Sequence, residues 1–187
     1  MEAASMIRLA KKSDLIRITD IYNQVVESKK AVANIRTFTV KQRESWFLEH
    51  YEHERTPIYV YEDNNGIVGY CYLSAYRPGR QALESVAEIS YFVEYDYHRT
   101  GIGSKLIKHC IEKAKELQYR NLLAIVMSCN DGSIALLEKY GFERWGALPD
   151  VLYIEGNVYS HFYYGLNIAD EKDRQANAFP QTQQVSD

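Results

Sequence analysis

The chain has 187 residues, of which 46% are hydrophobic and 25% charged, close to the composition of an average soluble globular domain. Its formal net charge of -3 gives no electrostatic reason to expect nucleic acid or an anionic membrane as the main partner. No apolar run approaches the roughly 18 residues that span a bilayer, and the cysteines are too widely spaced to predict a disulfide framework or a zinc site. We therefore expect a reduced, cytoplasmic protein built around one domain.

The N-terminal part of the chain predicts one strand and two helices. Residues 6–9 form a short apolar run that is typical of a strand. Ser13 stands where a helix N-cap is expected, and the apolar residues behind it recur at helical spacing as far as about Val26. Thr39 and Gln42 form a capping-box pattern, which predicts the start of a second helix.

From Pro57 onward the pattern is rich in strands, interrupted by two helices. Strands are predicted at 58–62, 67–75, 86–95, 122–127, 142–148 and 157–166, with one helix carrying an apolar stripe over 106–117 and another at 130–140. The order β-α-α-β-β-β-α-β-α-β-β predicts an α/β protein with a mixed sheet of about seven strands and helices on both faces. Residues 6–168 form the single domain, residues 1–5 are expected to be a flexible start, and the polar residues 169–187 a disordered tail.

The segment most informative about function is residues 88–104, which contain a predicted strand, a glycine loop and the start of a helix. Gly101 and Gly103 allow a sharp turn and a close approach of the backbone to a ligand, and the N–H groups that open the following helix favour an anion such as phosphate. The alternative interpretation is a tight turn between strand and helix that binds no ligand, because such a turn has the same pattern. Leu106 replaces the third glycine of a dinucleotide fingerprint, and the Gly-Lys-Ser/Thr of a P-loop is absent.

Two motifs together resemble the signatures of the GNAT acetyltransferase superfamily. The loop HRTGIG (98–103) is similar to its R/Q-x-x-G-x-G/A signature, and NDGSIALLEKYGF (130–142) resembles its second signature, an Asn followed by a short helix and Gly-Phe. RQA (80–82), the strand of Glu88 and the Asn-Asp at 130–131 are similar to the phosphinothricin and methionine-sulfone acetyltransferases. The resemblance covers the whole predicted domain in element order and implies a GNAT-like fold.

The resemblance implies acetyl-CoA as the co-substrate, with its pyrophosphate on the glycine loop. The residues expected to bind it are Tyr91, Phe92, Val93, His98, Arg99, Thr100, Gly101, Ile102, Gly103, Ser104, Asn130 and Ser133. Asn130 has a plain N-cap as its alternative role. His98 departs from the Arg or Gln of the loop signature, which matters little where the loop backbone binds the phosphates. Leu137 stands where many relatives have a proton donor to the thiolate, and Tyr140 is the substitute candidate.

Transfer to an amine needs a general base, because a primary amine is protonated near neutral pH. Glu88 matches the catalytic Glu of the phosphinothricin-type enzymes and is our candidate, with burial expected to raise its pKa. An ordinary solvent-facing carboxylate is the alternative. Glu94 has the same side-chain parity on this strand but is nearer the phosphate loop. The resemblance also implies that backbone N–H groups near Tyr91 to Val93 stabilise the thioester oxygen.

Several side chains are candidates for the acceptor pocket, each with a structural alternative. Arg77 and Arg80 suit an acceptor carboxylate, or are surface charges of a loop. Phe47 packs in the core or borders the pocket, as its helix does in the family. His50 and His53 stand among glutamates at positions 49, 52 and 54, which indicates a charged helix end rather than a metal site.

The sequence therefore predicts a cytoplasmic, acetyl-CoA-dependent N-acetyltransferase that acts by direct attack, without a metal, on the primary amine of a small, amino-acid-like acceptor. The resemblance also implies a homodimer. Two alternatives remain. One is acetylation of a protein N-terminus or lysine, which needs an open groove. The other is an acyl-CoA-binding sensor with little turnover, which the absence of a Tyr at position 137 allows.

Overall fold

The computed structural model describes residues 5–169 of the chain. The flexible start predicted for residues 1–5 and the polar tail predicted for residues 169–187 therefore fall, apart from one residue each, outside the described part. Among the helices of the described part, none is long and apolar enough to cross a membrane.

The secondary structure follows the predicted order of strands and helices. The elements are β1 (Met6–Leu9), α1 (Leu15–Ser28), α2 (Val40–Tyr51), β2 (Ile58–Asp63), β3 (Gly66–Ala75), β4 (Val86–Val93), α3 (Ile102–Glu116), β5 (Asn121–Met127), α4 (Asp131–Lys139), β6 (Glu143–Ile154) and β7 (Asn157–Asn167). The predicted capping box at α2 is present, with the Thr39 and Gln42 side chains each bonded to the other residue's backbone.

Within residues 5–169 the strands form one seven-stranded sheet in the order β1-β2-β3-β4-β5-β7-β6. The pair β4–β5 is parallel, and every other neighbouring pair is antiparallel. On one face α1 and α2 bury Ile18, Ile21 and Phe47 against the sheet, and on the other α3 and α4 bury Leu106 and Leu137. The predicted α/β class, mixed sheet and helices on both faces are therefore confirmed.

The start of α1 differs from the prediction, because Ser13 is not its cap. A short 3-10 turn occupies Lys12–Asp14, and the Asp14 carboxylate accepts the Lys11 N–H at 2.7 Å. Arg8 binds the same carboxylate at 2.7 Å. Burial raises the pKa of Asp14, but the bonds from Arg8 and Lys11 outweigh it and hold the pKa below its usual value. Asp14 is therefore the N-cap residue of α1 by position, but its carboxylate binds Arg8 and the Lys11 N–H and accepts no N–H of the helix.

Strand β6 is longer than predicted, since it continues to Ile154 instead of ending at Leu148. Its pairing with β7 is irregular between Leu148 and Leu152, where Asp150 has a φ of 54°. This interruption breaks the alternation of apolar and polar residues from which the strand was predicted. Pairing then resumes as far as a two-residue turn at 155–156, where both φ angles are positive, as the tight hairpin turn between twisted strands requires.

A bulge in β6 places the Trp145 side chain over a glycine of β7. The register skips Trp145 between Arg144 and Gly146. A Cβ added to Gly165 would fall on the indole ring of Trp145. Glycine is therefore the residue that allows the ring to cover this strand.

We expect Gly165→Ala to displace the half-exposed indole and to lower the free energy of unfolding by about 1–3 kcal/mol, the usual cost of overpacking. Urea denaturation followed by circular dichroism measures the loss. In a Trp145→Ala background the same change should cost much less, because the clash has been removed. Equal costs in the two backgrounds would contradict this contact.

Candidate active site

The central strands of the sheet separate after a short parallel ladder. Strand β4 pairs with β5 only over Val86, Ala87 and Glu88, although β4 continues to Val93. The Tyr76 N–H binds the Val86 carbonyl at 3.2 Å, so even-numbered residues of β4 direct their backbone groups toward β3. The N–H groups of the odd residues beyond Glu88, including those at positions 91 and 93, therefore point into the gap toward β5.

The gap opens into a cleft of about 700 Å³. It brings together most of the residues predicted to bind the co-substrate. Those that line it are Glu88, Tyr91, Phe92, Val93, His98, Arg99, Gly101, Gly103, Ser104, Asn130 and Ser133. Thr100 and Ile102 do not: the Thr100 hydroxyl donates to the Tyr97 carbonyl at 2.6 Å, and the side chain of Ile102, the first residue of α3, is buried in the core.

The loop before α3 presents free backbone donors to this cleft. Gly101 has a φ of 88° and forms the N-cap of α3, where no side chain caps the helix. The Lys105 N–H bonds back to the Gly101 carbonyl at 3.1 Å, so the N–H groups at positions 102, 103 and 104 precede the first helical bond. Together with the Arg99 side chain at the cleft rim, they form an arrangement that suits an anion.

The start of α4 forms the opposite wall of the cleft. The Asn130 Oδ1 accepts the Ser133 N–H at 3.2 Å, so Asn130 is an N-cap, and its side chain also lines the cleft. The Tyr91 hydroxyl lies 3.5 Å from the Ser133 carbonyl. Burial raises the pKa of Tyr91 to about 12, which keeps the phenol neutral near pH 7. Strand β4 and helix α4 therefore enclose a neutral, half-polar channel.

Glu88 is a half-buried carboxyl in the wall of the cleft. Burial alone raises its pKa, and no ion pair with a described residue opposes that effect. This placement disfavours the alternative of an ordinary solvent-facing carboxylate. Glu94 is engaged elsewhere, since it forms an ion pair with Arg17 and receives a hydrogen bond from Gln24 at 3.5 Å.

The rest of the cleft lining comes from parts of the chain that the sequence analysis did not single out. The loop between α1 and α2 contributes residues 31–34, and the Tyr22 hydroxyl donates to the Asn34 Oδ1 at 2.6 Å. A pair of bonds between the Asn23 side chain and the Phe38 backbone, at 2.8 and 2.9 Å, fixes the far end of the loop. In the sequence, the short apolar run at 31–33 lies outside any periodic helix or strand pattern. It is the feature from which this loop could have been recognised as part of a site.

Tyr72 and His161 also line the cleft. Burial, followed by smaller effects that include the Glu88 charge, raises the pKa of Tyr72 to about 12. Burial lowers the pKa of His161 below its usual value. Both side chains are therefore neutral near pH 7, which leaves Glu88 as the acidic side chain among the described residues of the lining.

Besides Thr100 and Ile102, four predicted site residues do not reach the cleft. Phe47 is buried in the core between α2 and the sheet, because its side of the helix faces inward. Arg77 and Arg80 are exposed on the loop between β3 and β4, outside the lining. Tyr140 ends α4 and packs against the core, with Lys139 over its ring. Leu137 lines the cleft instead, one helical turn earlier.

The described residues hold no cluster of His, Cys, Asp and Glu side chains that could bind a metal ion.

A family model described as an acetyltransferase (GNAT) domain matches residues 7–163. The chain belongs to the GNAT acetyltransferase family. The splayed strands, the glycine loop before α3 and the N-cap of α4 are thus the elements of a GNAT domain.

Relatives within the GNAT family agree with the resemblance to the phosphinothricin group. YwnH of Bacillus subtilis, a phosphinothricin acetyltransferase candidate, is 33% identical over 153 residues, which are 82% of this chain and 93% of that protein. The L-methionine sulfoximine/L-methionine sulfone acetyltransferase of Salmonella typhimurium is 30% identical over 145 residues, 78% of this chain and 84% of the enzyme.

A solved structure extends the agreement to three dimensions. The GNAT phosphinothricin acetyltransferase Pat from Sinorhizobium meliloti, in complex with acetyl-CoA, matches with a TM-score of 0.82 and 25% identity, covering 87% of this chain and 88% of that one. The predicted family is therefore confirmed, and the protein is an N-acetyltransferase related to the phosphinothricin and methionine sulfoximine enzymes.

Proposed function

We propose that acetyl-CoA is the acyl donor and that its pyrophosphate binds at the start of α3. The residues present fit this group. The N–H groups of Ile102, Gly103 and Ser104 come before the first helical bond, and Arg99 adds a positive charge at the rim. The cleft volume of about 700 Å³ is within the range of sites that enclose small-molecule ligands. Acetyl-CoA supplies the activated acetyl group of the reaction.

Glu88 acts as the general base. The observation that carries this assignment is its half-buried carboxyl, without an ion-pair partner, where β4 and β5 separate. A general base works best when its pKa is close to the operating pH, because enough of it is then unprotonated and it still binds a proton well. The raised pKa of Glu88 moves the carboxylate toward that range. Glu88 takes a proton from the acceptor ammonium, directly or through one water, and the neutral amine attacks the acetyl group.

Backbone donors stabilise the charge that develops on the carbonyl oxygen. The N–H groups of Tyr91 and Val93 point into the gap between β4 and β5, where no strand pairs with them. Donors that are held rigidly before the reaction are worth more than donors that must reorient during it. Leu137 occupies the position of the proton donor in many relatives, so the thiolate of the leaving group takes its proton from water or from the acceptor.

The acceptor is the primary amine of a small, amino-acid-like molecule. Relatives that act on methionine sulfoximine and methionine sulfone support this class. So does the loop of residues 31–34, which lines the same cleft as Tyr22, Tyr72 and Glu88. In this proposal the loop borders the acceptor pocket, which suits a free amino acid better than an extended peptide.

Release of free thiol from acetyl-CoA tests this function. The amines to compare are phosphinothricin, methionine sulfone, methionine sulfoximine, polyamines, an aminoglycoside and short peptides. We expect turnover with a small amino acid and its loss in Glu88→Gln. Turnover with peptides alone would replace the acceptor class by a protein N-terminus or lysine. Tight binding of acetyl-CoA without thiol release for any amine would favour the sensor.

The proposal extends to a cytoplasmic homodimer. The described cysteines are free thiols, which suits a reducing compartment. Strand β6 is an edge of the sheet and exposes Trp145, Leu148, Val151 and Tyr153. An exposed apolar edge strand is a surface that proteins usually cover. Light scattering after gel filtration measures the mass, and a monomer at micromolar concentration would refute the dimer.

A further inference from the structure

Ser74 of β3 is the immediate neighbour of Glu88 across the sheet. The register of β3 and β4 places the two residues directly opposite each other. Because the pair Tyr76–Val86 in the same register exchanges a backbone hydrogen bond, the pair Ser74–Glu88, two residues further along each strand, is also a hydrogen-bonded one. Side chains of such a pair lie on the same face, with Cα atoms about 5.5 Å apart. Ser74 is outside the lining of the cleft.

His50, near the end of α2, binds the Ser74 hydroxyl. The His50 Nδ1 lies 2.9 Å from the Trp46 carbonyl oxygen, and the Nε2 lies 3.1 Å from the Ser74 Oγ. A carbonyl oxygen can only accept, so Nδ1 carries the proton and the neutral Nε2 accepts the O–H of Ser74. His50 lies in the last turn of α2, among the charged residues that the sequence indicated, and its ring faces the sheet.

The surroundings of His50 favour its neutral form. Burial lowers its pKa, and the charges of Arg43 on the same helix and of His53 just after it act in the same direction, while the bond to the Trp46 carbonyl and the charge of Glu49 oppose them. On the sheet side, the ring of Tyr72 packs edge-on at 5.1 Å. The neutral ring presents the lone pair of its Nε2 to the Ser74 hydroxyl.

The reaction itself produces a proton that must leave the cleft. An ammonium group carries three hydrogens and the amide product one, and only one of the two lost protons remains on the free thiol. Glu88 holds the other proton after each transfer. It must release this proton before the next turnover, while product and CoA occupy the cleft around it.

We propose that Ser74 and His50 form a proton exit from Glu88, an inference that rests on the proposed role of Glu88 as the base. The Glu88 carboxylic acid gives its proton to the Ser74 Oγ, the Ser74 O–H bond breaks as its proton moves to the His50 Nε2, and Glu88 becomes a carboxylate again. His50 then carries a proton on both nitrogens and releases one to water. A side-chain rotation of Glu88, or one bridging water, closes the gap to Ser74.

The test compares His50→Gln, Ser74→Ala and the double variant with the wild type. The donor is acetyl-CoA, and the acceptor is methionine sulfone or any faster amine of the set above. We expect kcat to fall about tenfold or more in each single variant, with no further loss in the double variant. The KM of the amine and the Kd of acetyl-CoA should stay within about twofold. Ser74→Thr, which restores a hydroxyl, should recover most of the loss.

Added imidazole separates proton transfer from a structural role of these residues. As a soluble base it should raise kcat of His50→Gln and Ser74→Ala with increasing concentration, and leave the wild type unaffected. His53→Gln, an exposed histidine just after the same helix, is the matched control and should behave like the wild type.

Three outcomes would overturn the exit. A kcat within twofold of the wild type in His50→Gln and Ser74→Ala, with Glu88→Gln inactive, removes the exit and keeps Glu88 as the base. A loss of kcat that imidazole does not restore, with a higher KM and a lower melting temperature, assigns the two residues a purely structural role. Full activity of Glu88→Gln refutes the base and the exit together.

Discussion

Glu88→Gln should lower kcat by about 10²–10⁴-fold and leave the Kd of acetyl-CoA within about twofold of the wild type. The amide keeps the size of the side chain but cannot take a proton from the acceptor ammonium. Glu88 makes no contact with the backbone donors at the start of α3, so binding of the co-substrate should not depend on its charge. Steady-state kinetics and calorimetric titration with acetyl-CoA measure the two quantities.

The pH dependence provides a second test of Glu88. Wild-type kcat/KM should rise as the pH increases through the raised pKa of Glu88, because only the carboxylate is a base. Glu88→Gln should lose this rise. Turnover of Glu88→Gln equal to that of the wild type between about pH 6 and pH 9 would refute the assignment.

The same burial makes a prediction about stability. A carboxyl group whose folded pKa is raised stabilises the fold below its unfolded pKa, and this contribution is lost as the pH rises through the folded pKa. Near pH 7.5 the wild type therefore carries a penalty that the amide lacks. Glu88→Gln should melt at the same temperature as the wild type or at a higher one. The exposed Glu84→Gln is the control, with no expected change in kinetics.

Gly103→Val should weaken acetyl-CoA binding about tenfold or more. A Cβ at this position meets the Leu136 Cδ2 at 3.1 Å, so the added side chain is forced against α4 or toward the loop backbone. Either change obstructs the approach of a phosphate to the N–H groups at the start of α3. Titration with acetyl-CoA measures the loss, and an unchanged Kd would refute the pyrophosphate site.

A graded series distinguishes a blocked site from a damaged fold. Overpacking at Gly103 should also cost about 1–3 kcal/mol of unfolding free energy, so binding must be measured well below the melting temperature. Gly103→Ala adds only the first carbon and should fall between the wild type and Gly103→Val in both binding and stability. At saturating acetyl-CoA, kcat of the alanine variant should approach that of the wild type, because Glu88 is untouched.

The fold could be predicted from the sequence where local signals agree. The apolar stripe of α3, the capping box at Thr39 and the fully apolar run of β5 each determine their element with residues that are close in sequence. Prediction failed where an interaction with a distant residue decides. Asp14, which is bound by Arg8 of β1, stands at the N-cap position of α1 instead of Ser13, and β6 continues beyond Asp150 because β7 offers it a partner.

The candidate site likewise has one part that could be predicted from the sequence and one part that could not. The half around the start of α3 could be predicted, since one continuous segment carries the glycine loop. The part that we propose for the acceptor could not, because residues 31–34, Tyr72 and His161 meet only through the tertiary structure. The pair Ser74–Glu88 depends on strand register, which the irregular loop between β3 and β4 hides from any count along the sequence.

The early end of the β4–β5 ladder has a consequence for how this enzyme can evolve. Two of the groups that we assign to catalysis, the N–H groups of Tyr91 and Val93, belong to the main chain. Every amino acid except proline supplies them equally well. Mutational drift can therefore exchange both side chains and reshape the pocket for a new amine, while the donors to the reacting oxygen are inherited with the path of the strand.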